Sequence, residues 1–76
     1  MADDDDDEQV SIVGLVGQVV VGTTVPERPG EVLVNVRGGT ETFLAYCTQP
    51  LARHSMVLVI EDLGHRCVAV TPWSLS

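Results

Sequence analysis

The sequence contains no lysine and only three aromatic residues, Phe43, Tyr46 and Trp73. Without lysine the chain cannot form a Schiff base, complete a phosphate-binding P-loop or carry lipoyl or biotinyl groups. No other motif for catalysis or cofactor binding is present, so we expect a non-enzymatic protein without a cofactor. The longest apolar stretch, Ile12 to Gly22, is about half of the roughly 20 residues that a membrane helix needs.

Positive charge is also scarce, since four arginines oppose eleven acidic residues and the net charge is −7. Six of the eleven acids form a single run, Asp3 to Glu8, and the rest of the chain is nearly neutral. Such a run repels itself and stays solvated. We interpret residues 1–9 as an acidic disordered tail or linker and residues 10–76 as one small domain. An acidic start also argues against a secretory signal peptide.

Valine is the abundant residue, with 14 copies among 76 residues. Valine favours strands because its β-branch restricts χ1 and packs well on a pleated surface. Glycines and prolines divide the chain into five short segments, which is typical of an all-β domain. The first predicted strand covers about residues 10–21 and is bent at its glycines. The second covers residues 31–37, the fourth 56–61 and the fifth 65 or 66 to 71.

The third strand follows a predicted two-residue turn at Gly38-Gly39, because both central positions of a type I′ turn need a positive φ. Pairing outward from this turn sets Val34 opposite Phe43 on the core face. It sets Leu33 opposite Leu44 on the outer face, with Tyr46 beside them.

A three-residue loop, Asp62-Leu63-Gly64, is predicted to join strands four and five. This loop places the apolar residues of the last hairpin in two sets: Met56, Leu58, Ile60, Val68 and Val70 on one face, and Val57, Val59, Cys67 and Ala69 on the other. Together the five strands predict an all-β fold, a small five-stranded OB-like barrel. The helix that usually joins strands three and four is expected to shrink to a turn within residues 48–55. A five-stranded open β-sandwich and an SH3-like barrel are the alternatives, and Trp73 is expected to cover one end of the barrel.

The glycine and valine pattern resembles the soluble OB domain of the NfeD family. The resemblance rests on Val13-Gly14-Leu15-Val16-Gly17, Arg28-Pro29-Gly30-Glu31-Val32, the Gly38-Gly39 turn followed by Phe43-Leu44-Ala45, Met56-Val57-Leu58-Val59-Ile60 and Val68-Ala69-Val70-Thr71-Pro72. The chain departs from the family at His54-Ser55, where the family usually has a glycine.

This resemblance implies a function for the chain. NfeD-type proteins are usually membrane proteins whose OB domain lies on the cytoplasmic side, and they accompany SPFH proteins of the stomatin and flotillin type. We therefore expect a protein-interaction module of a membrane-associated assembly at the inner face of the membrane, with an SPFH-type partner and a homo-oligomer as a further option. Contact with the membrane is expected only through that partner or through helices absent from this chain.

The most prominent candidate partner-binding residues are Leu33, Leu44 and Tyr46, three apolar side chains on the outer face of one hairpin. Cover by another strand or by the link at residues 48–55 is the competing interpretation. An oligonucleotide-binding OB domain is the alternative function, but such domains combine a basic groove with stacking aromatics. With four arginines and no lysine, we expect no nucleic-acid partner.

Two other groups of residues have side chains suited to specific chemistry: the cysteines with the histidines, and the arginines. The set Cys47, His54, His65 and Cys67 contains zinc-ligand types but lacks the tight pair that closed zinc sites show, so no metal site is expected. The two cysteines are expected to be reduced thiols, with a disulfide as the alternative. Separately, the acidic run is able to cover a basic patch if Arg28, Arg37 and Arg53 lie together.

Overall fold

The computed structural model describes residues 11–74, which form five strands and no helix. The strands are β1 (Val16–Val21), β2 (Gly30–Val36), β3 (Gly39–Tyr46), β4 (Met56–Gly64) and β5 (Cys67–Pro72). They close into a barrel in the order β1-β2-β3-β5-β4, and β1 pairs with β4 to complete the ring. β3 and β5 are parallel and every other pair is antiparallel. The predicted all-β, five-stranded OB-like barrel is therefore confirmed. The acidic run at residues 3–8 lies outside the described residues.

The segment between β3 and β4 contains turns in place of the usual helix, as predicted. It is held to the loop between β1 and β2 by a bridge in which Thr23 and Leu51 exchange backbone hydrogen bonds of 2.9 and 2.8 Å. It is also joined to β1, because the His54 N–H donates to the Val19 carbonyl at 2.7 Å. His54 has a φ of 77°, the left-handed conformation that suits the glycine usual in the family.

β1 is shorter than the predicted strand, because the chain turns at Gly14 (φ 94°) and pairing begins only at Val16. Within β1, Gly17 pairs with Val34 on one side and with Val57 on the other. A Cβ at Gly17 would lie 2.9 Å from the Leu33 carbonyl oxygen. Glycine at this position therefore allows β1 and β2 to approach each other closely.

The β2–β3 hairpin has a different turn from the predicted one. Arg37 and Gly38, with φ of 55° and 81°, occupy the turn, and Gly39 already belongs to β3. Val36 consequently pairs with Gly39, and Val34 with Glu41 in place of Phe43. The predicted register was wrong by two residues. Because the side-chain period of a strand is two, this error moved every cross-strand partner but left every side chain on its predicted face.

The β4–β5 hairpin differs from its prediction in its faces. Its turn is His65-Arg66, both residues with positive φ (53° and 61°), and not Asp62-Leu63-Gly64. The register shifts twice along the ladder, between Val59 and Glu61 and between Asp62 and Gly64. Each shift inserts one unpaired residue into β4. As a result Val57, Val59, Val68 and Val70 all face the core, and the two predicted sets were wrong.

The core is built largely from valine. Six valines have less than 2% of their surface exposed, and each contributes roughly 1.5–3 kcal/mol on burial. The buried apolar residues are Ile12, Val19, Val32, Val34, Phe43, Ala45, Cys47, Leu51, Val57, Val59, Val68 and Val70. Trp73 is not among them and is 38% exposed, and its role at the barrel end stays a prediction. Within residues 11–74 we find no helix that is long and apolar enough to cross a membrane.

Candidate partner-binding face

The three predicted partner-binding residues all point away from the core, but their cross-strand pairing differs from the predicted one. Leu33 is half-buried and pairs with Gln18 on β1 and Thr42 on β3. Leu44 is 39% exposed and lies between Glu31 on β2 and Cys67 on β5. The expectation that Leu33 and Leu44 lie directly opposite each other was therefore wrong. They are diagonal neighbours, and polar side chains pair with each.

Leu44 and Tyr46 instead belong to a larger surface that extends across β3, β5 and β4. Tyr46 pairs with Ala69, and Thr71 pairs with Leu58. Because strand side chains alternate, the residues next to the buried valines of β4 and β5 point to solvent. We call this surface the uncharged outer face; its members are Leu44, Tyr46, Met56, Leu58, Ile60, Cys67, Ala69 and Thr71.

The uncharged outer face contains a groove of about 290 Å³ that follows β5. Small residues of β5, Ala69 and Thr71, form its floor. Tyr46 of β3 and Ile60 of β4 stand on either side, and Ile60, which follows the buried Val59, is 52% exposed. Pro26 lies at one end. The eight residues that line the groove include no charged side chain.

Carboxylates stand at both margins of the uncharged outer face. Glu31 pairs with Leu44 on one side, and Glu61 pairs with Ala69 on the other. Arg66, in the turn before β5, is engaged elsewhere: its guanidinium is 3.1 Å from Glu41 and lies over the Phe43 ring, 5.3 Å from the ring centre. The surface is thus an apolar groove with acidic margins.

A second cleft, of about 570 Å³, lies in the loop between β1 and β2 and includes Thr23, Val25, Arg28 and Leu51 in its lining. The Thr23 hydroxyl organises this loop, since it contacts the Val25 and Arg28 carbonyls at 3.1 and 3.2 Å and accepts from the Val25 N–H. Arg28 precedes β2 and Arg37 follows it, so a strand of about 20 Å separates them. The hypothesis of one basic patch formed by Arg28, Arg37 and Arg53 was therefore wrong.

The four candidate zinc ligands do not come together within the described residues. Cys47 is buried at the end of β3, Cys67 is half-buried at the start of β5, and both are free thiols. His54 lies in the link and His65 in the last turn. In residues 11–74 no three histidine, cysteine or acidic side chains form a group suited to a metal ion.

Comparison with known proteins agrees with this fold. The sequence profile described as the NfeD C-terminal domain matches residues 16–71, most of the chain, and the chain therefore belongs to this family. The solution structure of the soluble domain of the NfeD protein YuaF from Bacillus subtilis is similar, with a TM-score of 0.75 and 25% identity. The alignment covers 92% of this chain and 83% of that one.

A second solved structure shares the fold. It is the C-terminal domain of stomatin operon partner protein 1510-C from Pyrococcus horikoshii, with a TM-score of 0.62 and 23% identity. The alignment covers 84% of this chain and 91% of that one. No curated protein sequence matches the chain.

Proposed function

We propose that this NfeD C-terminal domain is a non-enzymatic protein-interaction module of a membrane-associated assembly, and that its partner is an SPFH protein of the stomatin or flotillin type. The observation that carries the proposal is the uncharged outer face, where Leu44, Met56 and Ile60 each leave 39–52% of their surface in solvent. Contiguous exposed apolar side chains on a small soluble barrel are typical of a partner-binding surface.

Two further points support the choice of partner and location. The Pyrococcus relative is named as a stomatin operon partner, and stomatin is an SPFH protein. A domain that works beside such a protein belongs at the cytoplasmic face of the membrane, and we place this chain there. Within the face, Leu44 and Tyr46 are the predicted contact residues that we retain, and Leu33 contributes from its edge.

The test is direct capture of a purified stomatin- or flotillin-type protein by the full chain. Leu44→Asp should abolish capture, because a carboxylate in a desolvated contact has no partner. Leu44→Arg should abolish it too. The two variants differ in stability, since position 44 lies opposite Glu31 and a like-charge pair there is unfavourable. We expect Leu44→Arg to be more stable than Leu44→Asp by roughly 0.4–2 kcal/mol.

Asn35→Asp is the matched control, because it adds a charge at an exposed outward position of the same hairpin, away from the face. It should capture the partner like the parent chain. Val34→Asp is the folding control and should unfold the domain, since Val34 is fully buried. The proposed function is wrong if the parent chain captures no SPFH-type protein. The assignment of Leu44 is wrong if both Leu44 variants capture it normally.

A further inference from the structure

The shape of the groove on the uncharged outer face indicates what kind of segment fits it. Its floor is formed by small residues of β5, and larger residues of β3 and β4 stand on either side. The groove itself is lined by Ala69, Val70 and Thr71 of β5, and the uncharged outer face continues along the strand to Cys67. The six-residue β5 gives this face a length of about 17–20 Å. A rod-like apolar ridge of that length fits the groove better than a flat surface does.

The backbone of the barrel restricts the choice further. β5 lies between β3 and β4 in a closed barrel, and the N–H and C=O groups of a strand point toward the neighbouring strands and not toward the face on which the groove lies. An extended peptide laid on this floor would bury its own backbone groups without partners, which is costly. A helix satisfies its backbone internally and offers one apolar stripe.

Charge adds a second restriction. The groove lining has no charge, while Glu31 and Glu61 stand at its two margins. A ridge flanked by lysine or arginine is therefore complementary, and one flanked by acidic residues is repelled.

We propose that the groove along β5 binds an amphipathic helix of about three turns, 11–13 residues, with an uncharged apolar stripe and basic flanks. This inference rests on the proposed function and states the chemistry of the partner segment. The helix lies along β5 between Tyr46 and Ile60, and Glu31 and Glu61 face its basic flanks.

The test uses synthetic helical peptides and the full chain. The first peptide has leucines at i, i+4, i+7 and i+11 with lysines beside them; the second replaces the lysines with glutamates; the third scrambles the first. Fluorescence anisotropy of labelled peptides should show binding of the first peptide at least tenfold tighter than that of the other two. Equal binding of the first and third peptides would overturn the proposal.

Two exposed apolar residues of β4 provide a matched pair of variants. Ile60 lines the groove and Leu63 does not, although both lie where the β4 register shifts and both are about half exposed. Ile60→Asp should lower the affinity for the first peptide at least tenfold, and Leu63→Asp should leave that affinity within twofold of the parent value. If Leu63→Asp weakened peptide binding more than Ile60→Asp, the assignment of Ile60 to the binding groove would be wrong. Glu61→Lys should shift the preference toward the glutamate-flanked peptide, and an unchanged preference would contradict the role of this margin.

Sedimentation of the parent chain tests whether a second copy of the chain, and not a helix of a partner, occupies the groove. A dimer that Ile60→Asp converts to a monomer would place a second copy in the groove and overturn the helix proposal.

The peptide-binding and SPFH capture experiments distinguish a failure of the groove inference from a failure of the proposed function. If Ile60→Asp still captures the SPFH-type protein and no peptide binds, the groove inference fails and the proposed function stands. If the lysine peptide binds but no SPFH-type protein does, the groove inference stands and the proposed partner is wrong.

Discussion

The turn between β2 and β3 is best tested by comparing two variants, Gly38→Ala and Gly39→Ala, which add the same methyl group at adjacent positions. Gly38 has a φ of 81° and lies in the turn, whereas Gly39 is the first residue of β3 and is not in the positive-φ region. A Cβ at Gly38 would meet nothing within 4 Å, and one at Gly39 would approach only the Val36 carbonyl oxygen at 3.9 Å. Neither Gly38→Ala nor Gly39→Ala causes a clash, so only the backbone conformation distinguishes the two variants.

The expected difference follows from this comparison. Replacing either glycine by alanine removes similar conformational freedom from the unfolded chain and so stabilises the fold by about 0.4–1 kcal/mol. Only Gly38→Ala also places an L-residue in the left-handed region, which costs roughly 1–2 kcal/mol. The stabilisation from reduced freedom in the unfolded chain is common to both variants and cancels in the comparison. The Gly39→Ala variant should therefore be more stable than the Gly38→Ala variant by about 1–2 kcal/mol. At about 4–8 °C per kcal/mol for a domain of this size, the Tm values should differ by roughly 4–16 °C.

Thermal and urea unfolding followed by far-UV circular dichroism would measure this difference. The urea m-value should be the same for both variants, because neither changes the surface exposed on unfolding. Equal destabilisation by the two alanines would refute the observed turn. It would mean that Gly38 and Gly39 both have positive φ, as the sequence pattern predicted, and that Val34 pairs with Phe43.

Two further predictions concern the link and the alternative function. His54→Gly should raise the free energy of unfolding by up to about 1 kcal/mol in urea titrations, because glycine adopts the His54 φ of 77° without strain. The backbone N–H of residue 54 keeps its hydrogen bond to the Val19 carbonyl in the variant. A loss of stability would show that the imidazole itself holds the turn. Single-stranded oligonucleotides should bind weakly at physiological salt with almost no salt dependence, because few arginines are available to release counterions. Submicromolar binding with a steep salt slope in filter-binding assays would favour the oligonucleotide-binding alternative.

The β2–β3 hairpin shows what the sequence predicts well and what it leaves open. The alternation of Val32, Val34 and Val36 predicted the core face correctly, because burial imposes the two-residue period. The turn position was ambiguous, since an arginine precedes two glycines and the fold places Arg37 at φ 55°. A polar, exposed residue tolerates that conformation at a modest cost, so the glycine pair alone did not locate the turn.

The β4–β5 hairpin was predicted less well, for a related reason. Residues 56–60 are all apolar, so the alternation that identifies the core face elsewhere is missing. The two register shifts in β4 then break any simple count from the turn. Bulges leave little local signal in a single sequence, because the extra residue is unpaired and need not match a cross-strand partner.

The same ambiguity hid the uncharged outer face. Met56, Leu58 and Ile60 were assigned to one side with Val68 and Val70, which made them plausible core residues. Once the barrel places Val57 and Val59 inside, the first three have no interior to occupy. A strand that is apolar on both faces is expected where both faces are covered, yet the described barrel covers only one. The second apolar side of β4 is thus the feature of the sequence that most directly supports the proposed partner-binding surface, and it could be recognised only when the closed topology showed which side was already filled.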